Sequence, residues 1–195
     1  MDQRPDTAAV DVDLLAGVLD KTGDLVAGVE PDQADQPTPC PDYTVGDLVD
    51  HVVGWVQVFA DGSQGRTPDV DPTSLKAGDD PAAEFRAAAG DVVDGWRTYG
   101  ADRTVRLTGD SEIPAAMVFN MTLMEYFTHG WDLAVATGQD VPFTDAEAEA
   151  TLAAAQATLP PEYRGAGQSF GEIVPVPDGA PPVDRAVAFL GRTPA

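Results

Sequence analysis

The chain is poor in several things, and most of these scarcities remove a class of protein. With a single cysteine, Cys40, among 195 residues it cannot hold an intramolecular disulfide, so oxidative cross-linking contributes nothing to the monomer. It has no run near the roughly 20 consecutive apolar residues that a bilayer span requires. Its first residues, Met1-Asp2-Gln3-Arg4-Pro5-Asp6, lack the basic-then-apolar order of a secretory leader, so a cytoplasmic protein is expected. Cations are scarce as well: 11 Lys and Arg face 33 Asp and Glu, for a net charge of -22. A surface so acidic repels a phosphate backbone and an anionic membrane, which excludes nucleic-acid and membrane-surface functions. There are only two histidines, so each can be weighed individually.

What is present is an ordinary soluble composition, 43% hydrophobic and 23% charged, long enough to bury one core. The acid excess favours solubility and fits a high-GC genome and a salt-adapted host equally well. Apolar residues recur at helical spacing from Val10 to Val29, with Thr7 as the expected N-cap. Pro31, Pro37, Pro39 and Pro41 then forbid a helix and predict a short extended connector. Thr44-Val45-Gly46-Asp47 resembles a capping box and opens a second helix to about Ala60. A Gly-, Pro- and Asp-rich loop follows over 61–80, and Asp80-Pro81 starts a third helix to about Tyr99. Thr104 to Leu107 alternates as a short strand would. Pro114 begins the longest periodic run, stopped by Gly138. Thr144-Asp145-Ala146-Glu147 is a capping box before a helix to about Thr158, and Asp184 to Leu190 reads as a last short helix. The pattern predicts an all-α bundle forming one domain over residues 1–195.

His129 follows Glu125 by four residues on the fourth helix, about 40° around the axis and about 6 Å along it, so one ion can be chelated from that face. Met117, Met121, Glu125 and His129 form an i, i+4 row that the two methionines mark as core-facing. His51, between Leu48 and Trp55, falls on the buried stripe of the second helix and can supply a third ligand. A carboxylate on a core-facing row needs a partner, a cation or a proton. A His-Glu-His set suits catalytic Zn²⁺, and Ni²⁺, Fe²⁺ or Mn²⁺ accept the same donors. The same residues are also compatible with a helix-surface pair and a satisfied core histidine.

Three blocks carry a resemblance. Pro39-Cys40-Pro41-Asp42-Tyr43-Thr44-Val45-Gly46-Asp47-Leu48-Val49-Asp50-His51-Val52-Val53-Gly54 resembles the signature of the mycothiol-dependent maleylpyruvate isomerase N-terminal family, within the DinB-like four-helix superfamily of actinobacteria. Glu125 to Gly138 forms a second block. Phe170 to Pro177, with Asp184-Arg185 and Phe189-Leu190-Gly191-Arg192, is similar to the tail of a single-domain branch. The resemblance implies a DinB-like four-helix bundle with short additional C-terminal helices and a divalent metal held by His51, Glu125 and His129. It further implies a small-molecule thiol such as mycothiol, activated by the metal to attack a small electrophile, in a thiol S-transferase or isomerase. The family isomerases carry a further C-terminal domain, which this sequence is expected to lack, so a reaction other than maleylpyruvate isomerisation is expected. A non-catalytic metal-binding stress, sensor or interaction module is the alternative, and pairing through an exposed helix face would give a homodimer.

Several neighbours have two readings. Asp132 either orients His129 through its second ring nitrogen or pairs locally. Arg164 and Arg185 either bind an anionic substrate or thiol cofactor, or form surface pairs. Asp50 is expected in solvent. Trp55, Trp96, Trp131, Met117, Met121 and Met124 are expected to pack in the core, as is Cys40, whose reversible thiolation is the minor alternative.

Overall fold

A computed structural model describes residues 10–69, 71–107, 111–165 and 170–194. Its helices are α1 (Val12–Ala27), α2 (Val45–Ser63), α3 (Pro81–Tyr99), α4 (Ala115–Thr137), α5 (Asp145–Thr158) and α6 (Pro182–Phe189). Two three-residue strands, β1 (Thr104–Arg106) and β2 (Glu112–Pro114), pair antiparallel between α3 and α4. No helix among the described residues is long and apolar enough to cross a membrane.

The ends of the helices follow local chemistry. Asp11 accepts from Leu14 N and starts α1; Thr7, expected in that role, lies outside the described residues. Thr44 and Asp47 close the capping box of α2 in both directions, and Asp80 accepts from Ala83 N ahead of Pro81. The α4 helix has no side-chain cap; Ala115 N instead donates to Arg103 O, across the hairpin. It ends at Gly138 in the left-handed region, at φ +70°, where a side chain would be strained.

Helix α1 packs on α3 and α4, and α2 packs on the same two, so the cyclic order is α1, α3, α2, α4. This is a four-helix bundle in which α1 and α2 are diagonal. Helix α5 lies on α4, and α6 on α5, as the additional C-terminal layer. Phe85, Trp96, Tyr126, Phe127, Leu15, Leu48 and Leu133 fill the core. Tyr126 meets Phe85 and Phe59 edge-on at 5.4 and 5.9 Å, a favoured aromatic geometry. Thr22 donates to Tyr126 O at 2.9 Å, tying α1 to α4. A Cβ at Gly130 would lie 2.6 Å from Phe143 Cζ and 3.0 Å from Thr22 Oγ1, so a residue without a side chain is required where α1 approaches α4.

Glu147 serves two contacts at once. Its carboxylate accepts from Thr144 N in the α5 capping box and pairs with Lys21 Nζ of α1 at 2.6 Å, with little exposure. Glu147→Ala removes both contacts and leaves Lys21 without its partner. The expected loss is about 2–3 kcal/mol of unfolding free energy, read from urea midpoints at unchanged m-value.

Three expectations need correction. Met117 is 37% exposed, and Met121 is only partly buried, whereas Met124 is in the core. An i, i+4 row drifts about 40° per step, so Met117 and His129 stand about 120° apart and cannot share one face. Trp55 is half-buried at the bundle's rim, unlike Trp96 and Trp131, which are core residues. Asp50 is not simply solvated: it accepts from Lys76 Nζ at 2.7 Å and Ala77 N at 2.8 Å, fastening the loop before α3 onto α2.

Candidate metal centre

The seam between α2 and α4 brings His51, Glu125 and His129 together, with one ligand atom from each lying within 4.8 Å of the others. His51 stands two turns into α2, and the four-residue step on α4 stacks Glu125 and His129. His51 Nε2 lies 2.6 Å from Glu125 Oε1, and His129 Nε2 lies 3.6 Å from the same oxygen. The side chains of His51 and Glu125 remain 17% and 22% exposed, which leaves the cluster open to solvent on one side. His129 is more deeply set.

The other ring nitrogens are also held. His129 Nδ1 is 3.0 Å from Asp132 Oδ2, and His51 Nδ1 shares a 3.0 Å hydrogen bond with the Tyr43 hydroxyl. Asp132 is completely buried and bonded by Arg192, from Nε to Oδ1 at 3.2 Å and from Nη2 to Oδ2 at 2.9 Å. Burial pushes the Asp132 carboxyl up, but the His129 hydrogen bond and the Arg192 charge outweigh it and hold it below its ordinary value. An ionised carboxylate only accepts, so His129 donates from Nδ1 and turns Nε2 toward Glu125.

Glu125 follows the same logic. Burial opposes its ionisation, yet the charge of His129 and the hydrogen bond from His51 bring its pKa down from 4.5 to about 2. Burial, with Cys40 and Glu125 adding to it, pushes the Tyr43 phenol up, so it stays protonated. A hydroxyl can accept or donate, so Tyr43 suits either tautomer of His51.

These groups fit a divalent cation. Two imidazole nitrogens converge on one carboxylate oxygen, and each imidazole is oriented through its far nitrogen, as metal-bound histidines are. A tetrahedral ion with bonds of about 2.0–2.1 Å spaces its ligands about 3.3 Å apart, between the two distances found here. Without a cation or proton among them, lone pairs of Nε2 and Oε1 would face one another.

The remaining candidates separate. Asp132 takes the orienting position. Arg164 donates from Nη1 to Phe189 O at 2.6 Å and stacks on the Phe189 ring, and Arg185 lies 3.6 Å from Glu149. Both belong to the C-terminal layer and neither joins the cluster. Cys40 is buried, as expected, but its Sγ lies within 4.8 Å of ligand atoms of His129 and Asp132. Burial raises its thiol pKa, which keeps it a packing group. Sequence reasoning assigned no site role to Tyr43 or Arg192. The available signals were a polar-tipped aromatic directly before an N-cap and a rare cation following the apolar Phe189-Leu190.

The fold and cluster define a class: a four-helix bundle with two histidines and a glutamate converging at the rim of one helix seam. The chain belongs to the mycothiol maleylpyruvate isomerase N-terminal domain family, whose model matches residues 15–134. Uncharacterised proteins from two strains of Mycobacterium tuberculosis are each 37% identical over 174 residues, covering 87% of this chain and 90% of their own. A crystal structure of the mycothiol-dependent maleylpyruvate isomerase aligns with TM-score 0.54 at 16% identity, over 78% of this chain and 69% of that one. A histidine-to-alanine mutant of that enzyme aligns with TM-score 0.53 at 16% identity, over 82% and 72% of the two chains. These structures share the fold.

Proposed function

We propose that this protein is a thiol-dependent transferase or isomerase of the mycothiol type, holding one divalent metal ion between His51, Glu125 and His129. The observation carrying this reading is the convergence of both Nε2 atoms on Glu125 Oε1 while both Nδ1 atoms are engaged elsewhere. The donor set suits Zn²⁺ first and Ni²⁺, Fe²⁺ or Mn²⁺ as well. The chemistry such an ion supplies, when bound, is to hold a small-molecule thiol and lower its pKa, readying a thiolate for a small electrophile near neutral pH.

The protein's own groups do the rest. Toward a bound ion, His51 and His129 would each present a deprotonated Nε2, and Glu125 would supply the charge. Asp132 and Tyr43 fix the imidazole orientations before any ligand arrives, which lowers the ordering cost of binding. Tyr43 and Trp55, both partly buried, flank His51 with ring centroids 4.8 and 6.3 Å from it. The family name supports mycothiol as the thiol. A reduced cytoplasm, where such thiols persist, is the compartment this reading requires.

The test is the metal content of untagged protein, wild type beside His51→Ala, followed by turnover of electrophiles with and without mycothiol. About one ion per chain, largely lost in the variant, together with thiol-dependent turnover, is the expected result. Bound metal with no thiol dependence would favour a non-catalytic metal-binding module. No metal in either protein after dialysis against Zn²⁺ and Ni²⁺ would end the proposal.

A further inference from the structure

We infer that Arg192 is a positioning residue for the metal centre, fixing Asp132 and through it the tautomer and tilt of His129. The inference deepens the metal-binding reading above and rests on it. It connects the C-terminal layer to the site, because the last turn of the chain sets the coordinating power of a histidine on α4.

The first observation is burial. Arg192 is only 6% exposed in a protein of net charge -22, although a surface position would offer it carboxylates in plenty. A buried ion pair adds little net stability over apolar packing of the same shape, so its contribution is better sought in orientation. The second is valence. Arg192 uses two nitrogens on the two oxygens of Asp132, while Oδ2 also accepts from His129 Nδ1. With both oxygens held, the carboxylate cannot swing away from the imidazole, and His129 is kept with a proton on Nδ1 and its Nε2 aimed at Glu125, where a bound ion would take the place of any proton. A lysine, a single point charge, could not hold both oxygens in this way.

The third observation is how the turn delivers the guanidinium. Arg192 N donates to Val187 O at 2.9 Å, and Nη1 donates to Leu190 O at 3.1 Å. Gly191 has φ +84°, and a Cβ there would lie 2.6 Å from Gly171 Cα. Only glycine lets the chain turn this tightly against the preceding segment, which Val174 N fastens to Ala188 O at 3.0 Å. The segment over 171–174 and the end of α6 thus act as a bracket that aims one side chain inward.

The test compares wild type, Arg192→Lys and Arg192→Gln by Zn²⁺ affinity, measured in competition with a chromophoric chelator. Long-range ¹H–¹⁵N spectra of the metal-free proteins read the tautomer of each histidine. Because Asp132 itself remains, Arg192→Gln is expected to weaken Zn²⁺ binding by about 10-fold, the lower end of what losing a ligand's direct partner costs, and to leave His129 a mixture of tautomers, with His51 unchanged. Arg192→Lys should recover part of both. Folded variants with wild-type affinity and an unchanged His129 tautomer would overturn the inference. Failure of both variants to fold would do so too, reducing the pair to a structural one. Should wild type bind no Zn²⁺, the metal reading fails and the tautomer comparison alone decides whether Arg192 positions His129.

Discussion

Glu125→Gln is expected to lower divalent-metal affinity by at least about 100-fold while leaving the bundle folded. Removing only a supporting partner of a ligand costs about 10- to 100-fold, and Glu125, whose Oε1 both histidine Nε2 atoms approach, is itself a proposed ligand. Glutamine keeps the shape and removes the charge, so a loss of binding would be electrostatic rather than steric. Calorimetric titration with Zn²⁺ measures it, and near-wild-type affinity would exclude Glu125 as a ligand. The metal-free protein gives an independent signature in acid. The Glu125 pKa is depressed from 4.5 to about 2, so its stabilising contribution is complete above 4.5 and is lost as pH falls toward 2. Glu125→Gln should lack that component, and its stability should fall less steeply than wild type across this window.

The second large effect is on stability. Asp132→Ala leaves Arg192 buried with no carboxylate, and breaking a buried pair on one side costs about 3–5 kcal/mol. For a chain of this size the thermal midpoint should drop by roughly 10 °C. A double change, Asp132→Leu with Arg192→Met, removes both charges together. It should regain most of the lost stability without regaining metal affinity, because His129 Nδ1 would still have no acceptor. Thermal scans of the single and double variants separate the two contributions. Equal midpoints for wild type and Asp132→Ala would mean that the Arg192 charge is satisfied in some other way.

Local chemistry explains which parts of this architecture could be read from the sequence. The capping boxes at Thr44 and Thr144, the proline start at Asp80-Pro81 and the stop at Gly138 are contacts within a few residues, and they set the helix ends to within a few positions. His51, Glu125 and His129 were legible because a polar residue on an apolar stripe calls for a partner. Their approach to one another agrees with that reading, although holding an ion remains the proposal above. The failures came from range. Asp132 and Arg192 are 60 positions apart, and Asp50 and Ala77 are 27 apart, so no periodicity links them. The second strand of the hairpin was hidden by Pro114, since proline argues against a strand except at an edge. Met117 was misplaced because the angular drift of an i, i+4 row accumulates over three steps.

The cyclic helix order bears on when the centre comes into existence. His51 and Glu125 meet across 74 positions, and Asp132 waits for an arginine from the last turn of the chain. Closing such long loops carries an entropic cost that short-range helix formation does not. Loop-closure entropy therefore predicts that the cluster forms after the local helices, once α2 lies beside α4 and the C-terminal layer has docked. An ion that recognises the finished cluster but not the open chain draws the folding equilibrium toward the native state by mass action. In this protein a metal would act as a fastening applied to a completed bundle, and its free concentration would set how tightly the seam stays shut.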